Sequence, residues 1–256
     1  MNRSTFLRLC CFSLVQVLVG KAAIAQLPTN DLDRLEPIIF AAPTPADNSS
    51  PTQPRHETAK RRPPCRLAEK PLTALVPVYS VSGGKLAWGV TINAQPTLWV
   101  YVPYALSNAT AEFVLENAAR QSIVRQVPLA AKPGIMAISL ADLDLSLEEN
   151  QSYNWYFEIS CQGSNQRHTV PDAVEGKITR RRMNPTVSNQ VTQTNDLHHK
   201  VKFFAQAGIW HEALSIAAVL HCARSQSSSW VQLLQATGFQ DLIQEQIVVC
   251  PNPQSF

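Results

Sequence analysis

The chain has 256 residues, is 45% hydrophobic and 16% charged, and carries a formal charge of +3, with 9 glycines and 6 cysteines. The small charge argues against a globally basic nucleic-acid binder. So few glycines, with no Gly-rich phosphate loop, argue against a nucleotide enzyme.

The N-terminus reads as a cleavable signal peptide over residues 1–25. Arg3 and Arg8 make a basic start, Leu9 to Gly20 is apolar but too short to span a bilayer, and Ala23-Ile24-Ala25 supplies the small residues of a cleavage site. Arg3, Arg8 and Lys21 leave with it, so 22 basic residues become 19, balanced by 19 acidic. No later segment has the apolar length of a membrane span. The expectation is an exported protein, periplasmic or extracellular. Four cysteines remain, and an even number in an exported chain predicts disulfides. Spacing allows three pairings. Keeping each pair inside one proposed domain joins Cys65 to Cys161 and Cys222 to Cys250. None has a neighbour at zinc-ligand spacing.

Residues 26–64 read as a Pro-rich linker, extended and mobile, because such a composition cannot bury a core. Leu32 to Phe40 is its more apolar part, and Lys60-Arg61-Arg62 reads as a solvated charge run.

Residues 65–182 read as a β domain. Leu72–Val76, Ala87–Ile92, Thr97–Tyr104, Glu112–Leu115, Ser122–Val127, Ile135–Leu140, Tyr153–Cys161 and Ala173–Thr179 are short apolar or β-branched runs divided by turn signals such as Ser82-Gly83-Gly84 and Pro133-Gly134. The run Thr97–Tyr104 has large side chains on both faces, which suits a strand covered on both sides. Leu147 to Trp155 has the form of a tyrosine corner, with the Tyr153 hydroxyl turned back to the backbone and Trp155, Phe157 and Ile159 on one face. The fold class is mainly β with α: an antiparallel immunoglobulin-like β-sandwich followed by a small helical segment.

Residues 181–194 read as a polar loop. The period then changes to 3.6 over a helical segment, residues 195–250. Asn195-Asp196 offers an N-cap for Leu197, Val201 and Phe204; Gly208 stops that helix; a second starts near Trp210; a third follows Ser228 or Ser229; Asp241 to Val248 is a short fourth. Phe203-Phe204-Ala205 through Gly208, Trp210 and Glu212-Ala213-Leu214 resembles a tetratricopeptide hairpin. One such repeat cannot bury its own core, so it should pack on the sandwich or a partner.

A second resemblance covers more chain. The blocks Pro71 to Pro77, Pro96 to Tyr104, Ala111 to Leu115, Pro133-Gly134-Ile135, Tyr153 to Phe157, Cys161 and Val174-Glu175-Gly176 resemble a family of exported cyanobacterial proteins known as domain of unknown function number 928. The resemblance implies an exported protein with a β domain and a helical tail. It implies no catalytic residue and no ligand.

Chemistry is sparse. The histidines are His56, His168, His198, His199, His211 and His221. His211-Glu212 opens like a zinc-protease helix, but Ser215 stands where the second histidine belongs, and the helix histidines read as exposed. No Gly-x-Ser-x-Gly elbow occurs. Asp142, Asp144, Glu148 and Glu149 read as solvated loop acids, and Arg180-Arg181-Arg182 as a charge run at a strand end. Trp88, Trp99, Tyr101 and Tyr104 could form an exposed stacking row for sugar or an apolar peptide, though burial in a core is the usual fate of such residues. Trp210 joins them as a partner-surface candidate on the helices. The reading that results is a non-enzymatic binding or scaffolding module of the cell envelope with a protein partner, a glycan being a further ligand class, and with no cofactor, metal or nucleic acid. The alternatives are an envelope enzyme acting on polysaccharide and a carbohydrate-binding module.

Overall fold

The computed structural model describes residues 37–45, 51–52, 68–105, 109–161, 171–223 and 227–251. The expected signal peptide, Lys60-Arg61-Arg62, Cys65, His56 and His168 lie outside the described residues.

Among the described residues nine strands build two sheets: β1 (Thr73–Ala74), β2 (Val78–Val81), β3 (Gly84–Thr91), β4 (Thr97–Val102), β5 (Ala109–Glu116), β6 (Ser122–Val127), β7 (Gly134–Ser139), β8 (Ser152–Cys161) and β9 (Asp172–Arg180). One sheet has the order β1-β4-β7 and the other β2-β3-β9-β8-β5-β6. In the larger sheet the period-two pattern sorts side chains by face. Ala111, Phe113 and Leu115 of β5, Trp155, Phe157 and Ile159 of β8, and Val174 and Ile178 of β9 are buried. Registers such as Phe113↔Phe157↔Val174 align these positions across the strands. Strand β4 is buried from Leu98 to Val102, as its apolar run requires.

The Tyr153 hydroxyl accepts a 3.1 Å hydrogen bond from the Glu148 backbone N–H, the contact expected of the corner sequence. Three features depart from the sequence reading. The four-residue strand β2 is not among the runs expected as strands and forms because the turn at Gly83, φ 92°, folds it onto β3. The sheet is not wholly antiparallel, since Trp88–Thr91 runs parallel to Lys177–Arg180. The polar stretch after β9 contains helix α1 (Pro185–Thr192), started by Pro185 and an Asn184 side chain that accepts from Thr186 N–H.

Three longer-range helices follow. α2 (Leu197–Gln206) is capped by Asp196, which accepts from His198 N–H, and Gly208 at φ 70° ends the turn after it. α3 (Trp210–Ala223) is buried along most of its length, and α4 (Ser228–Ala236) ends before Gly238. The expected fourth helix is only a 3₁₀ turn at Gln240–Leu242. The chain beyond it runs beside β7: Ile135 N–H donates to Gln246 C=O at 2.7 Å, and Val248 N–H to Ile135 C=O at 2.9 Å. No helix among the described residues is long and apolar enough to cross a membrane.

The helices are not an appendage. Glu36–Phe256 forms one compact unit, and a single apolar core joins both sheets to α2, α3 and α4. Polar bonds fix the seam. The Trp210 indole N–H donates to Leu75 C=O at 2.9 Å, and the Trp99 indole N–H to Ser215 Oγ at 3.0 Å. The more apolar part of the Pro-rich stretch is also held in place. Ile38 is buried, its N–H bonds Gln232 at 2.7 Å, and Phe40 packs edge-on against Trp210.

Candidate functional site

With Trp155, Phe157, Val174 and Ile178 pointing into the core, their neighbours must point out. Paired positions on adjacent strands share a face, so Glu116, Asn154, Lys177 and Trp88 form one row across β5, β8, β9 and β3. Val114, Tyr156 and Glu175 form the next. Below Lys177 the place beside β3 is taken by a piece of the N-terminal segment: Thr52 N–H donates to Lys85 C=O at 2.7 Å, and Ala87 N–H donates to Thr52 Oγ1 at 2.6 Å. The result is a groove of about 220 Å³ lined by Pro51, Thr52, Arg120, Asn154, Tyr156, Glu175, Gly176 and Lys177.

Its electrostatics are mixed. Arg120, at φ 62° in the hairpin turn after β5, reaches Glu116 at 3.2 Å and is otherwise solvent-facing. Asn154 Nδ2 donates to the same Glu116 oxygen at 3.3 Å. Burial raises the Tyr156 phenol above its ordinary value, Glu116 and Glu175 add to the rise, and Arg120 opposes it. The groove therefore offers an ammonium, a guanidinium, an amide, a phenol and a carboxylate within one polar cleft. Chemically it can bind a hydrogen-bonding ligand.

The aromatic residues considered for a stacking surface are all buried: Trp88, Trp99, Tyr101, Tyr104 and Trp210 are at most 5% exposed. Trp88 lies on the groove's face but is sunk among Leu86, Val90, Tyr79 and Val81, with its indole N–H on Thr179 Oγ1 at 2.9 Å and Arg181 over its ring at 5.4 Å. Trp99 packs toward Trp230, ring centroids 6.5 Å apart. Burial raises the Tyr101 phenol to about 12, helped by Glu245. The Tyr104 hydroxyl donates to Asp172, and burial pushes it higher still. These rings form no exposed row, and Trp210 offers no partner surface. The size of these side chains allowed either fate, with core the expected one, and the fold buries them.

The arginine run is used internally: Arg180 donates to Leu147 C=O at 2.7 Å and Arg182 to Glu149 at 2.6 Å. Cys222 and Cys250 form a disulfide. Cys161 is disulfide-bonded too, and its expected partner Cys65 is outside the described residues.

The histidines correct one expectation. His198 meets Ser229 Oγ at 2.7 Å and His199 meets Asp196 at 3.4 Å, near the surface. His211 is instead buried, and among the described residues neither ring nitrogen has a hydrogen-bond partner of good geometry. Burial drives its pKa down to about 4, with the Thr97 backbone opposing. Next to it, Glu212 Oε1 accepts from Thr91 Oγ1 at 2.6 Å, Ile92 N–H at 3.0 Å and Asn93 N–H at 3.1 Å, while burial holds the carboxyl above its usual range. This pair closes the end of β3 against α3. Among the described residues no three His, Cys, Asp or Glu side chains are grouped to hold a metal.

A family model described as Domain of Unknown Function (DUF928) matches residues 56–247. No curated protein matches the chain. A solution structure of the fn3 domain of human collagen alpha-1(XX) chain is similar at 11% identity and a TM-score of 0.26, covering 55% of this chain and 94% of that one. At that score the likeness carries no argument.

Proposed function

The chain belongs to the family described as Domain of Unknown Function (DUF928), and from that premise we propose that it is a non-enzymatic binding module working outside the cytoplasm, with the outer face of the six-stranded sheet as its ligand surface. The carrying observation is the polar groove: side chains from β8 and β9, the β5–β6 turn and Pro51-Thr52 converge there on a rigid sheet. Rigid elements position a site better than loops do. The helices act as backing for the two sheets, because their large side chains are turned inward. Export, and the cyanobacterial origin that the family resemblance implies, are part of this reading. The signal-like N-terminus and the Cys222–Cys250 disulfide support export. We read the sheets as an immunoglobulin-like sandwich, supported by the tyrosine-corner bond, and α2–α3 as a tetratricopeptide-like hairpin, supported by Gly208 and the buried Ala213.

The test is capture from the native envelope with the mature chain and with a variant carrying Asn154→Ala, Tyr156→Phe and Lys177→Gln. An envelope component held by the first and lost by the second supports the reading. Equal capture by both places the ligand elsewhere and defeats it.

A further inference from the structure

We propose that the groove between Pro51-Thr52 and β8–β9 takes an acid-bearing sugar unit of a polysaccharide, with Lys177 holding the acid group and Tyr156 and Asn154 holding its hydroxyls. This rests on the binding-module reading and gives it a ligand class. Lys177 is half-buried, and among the described residues its ammonium makes no hydrogen bond or ion pair. An ammonium in a cleft with no ion-pair partner among the described residues is open to an anionic group of a ligand. The Tyr156 hydroxyl, diagonal to Lys177 on the same face, likewise has no hydrogen-bond partner among the described residues. Arg120 stands at the rim with one bond, to Glu116.

The surroundings narrow the anion. A phosphate polymer or an anionic lipid surface calls for a field of one sign, whereas Glu116 and Glu175 sit within the same two rows as Lys177. Carboxylates beside a cation suit a ligand that brings hydroxyls to donate as well as an acid to receive. A protein partner would be anchored by aromatic or aliphatic hot spots. The lining instead has a phenol, an amide and charged groups, and the nearest indole, Trp88, is buried. Charged and hydroxyl contacts without stacking are the chemistry of an acidic sugar.

Binding to oligogalacturonate, sulfated galactose oligomers and neutral galactose oligomers would be measured by calorimetry on the full mature chain, for wild type, Lys177→Gln and Tyr156→Phe, with melting curves confirming that each variant is folded. At least one acidic probe should bind about tenfold or more tighter than the neutral one, and Lys177→Gln should remove about that factor. The two acidic arms separate carboxylate from sulfate. Equal binding of neutral and acidic probes, or an acidic probe indifferent to Lys177→Gln, overturns the acidic-sugar assignment, and the site survives only if Tyr156→Phe still weakens binding. Failure of every sugar to bind also overturns the assignment, and the capture experiment above then judges the binding-module reading separately.

Discussion

The imidazole of His211 occupies the space where residue 89 would carry a side chain. A Cβ built on Gly89 would lie 2.5 Å from His211 Nε2 and 3.2 Å from Val76 Cγ2. β3 can therefore lie against the first turn of α3 only because position 89 is glycine. Gly89→Ala should destabilise the fold by about 1–3 kcal/mol through overpacking. His211→Ala should open a void there, and the double variant should lose less than the two single losses added together. Urea denaturation of the four proteins measures the coupling.

Acid sensitivity follows from the same histidine. Its folded pKa of about 4 lies below the ordinary 6.5. The unfolded chain therefore takes up a proton that the folded chain refuses. The stability contributed above 6.5 is lost as pH falls toward 4, by about 3 kcal/mol at most. Glu212 has the opposite sign. Its folded pKa is raised, so its contribution is present at low pH and declines as pH rises through the folded value. His211→Leu should flatten the acid limb of a stability–pH profile, and Glu212→Gln should gain on wild type as pH rises. If both variants run parallel to wild type, the assignment is wrong.

The corner bond has a modest, separable value. Tyr153→Phe keeps the ring and removes the acceptor for Glu148 N–H. The expected cost is about 1 kcal/mol, seen as a lower denaturant midpoint with an unchanged slope.

Cys222–Cys250 closes a sequence separation of 28. Cys250→Ser should cost about 3–4 kcal/mol on the chain-entropy account. It should also speed hydrogen exchange at the Ile135 and Val248 amides, which bond across the β7 edge. Unchanged exchange there would show that the C-terminal segment holds β7 without the crosslink.

Ending the chain near residue 194 should unfold the sheets rather than trim a tail. It removes Trp210, Leu214 and Trp230 from the shared core and leaves Leu75 C=O and the Trp99 indole N–H without partners. Loss of near-UV circular dichroism and of a cooperative melt is the expected result. A truncated chain that melts like the full one would mean the seam contributes little.

Much of this fold could be read from local pattern. Ser122–Val127 carries an apolar and β-branched run bounded by turns, Asp196 announces α2, and the Tyr153 corner lies in nine consecutive residues. What could not be read is held by distant partners. β2, Val-Tyr-Ser-Val, is only four residues long and buries none of them fully, and it exists because a hairpin pairs it with β3. α1 buries no residue fully, and its one apolar pair, Val187 and Val191, packs only partly against the core. The groove was invisible for a related reason. Asn154, Tyr156, Glu175 and Lys177 read as outward positions of two strands, but Pro51 and Thr52 form the opposite wall from a segment whose composition reads only as linker.

The parallel pairing of β3 with β9 sets a timetable. Trp88 and its partner Thr179 are 91 positions apart, while β8–β9 and β5–β6 join strands that are sequence neighbours. Local hairpins form early, whereas a long loop must close before a distant pair gives any return, so assembly of this sheet belongs to the slow class of about milliseconds to seconds. In a chain delivered from its N-terminus, the Trp88–Thr91 stretch of one β3 edge stays unpaired until residue 180 has emerged, and only then is the sheet complete.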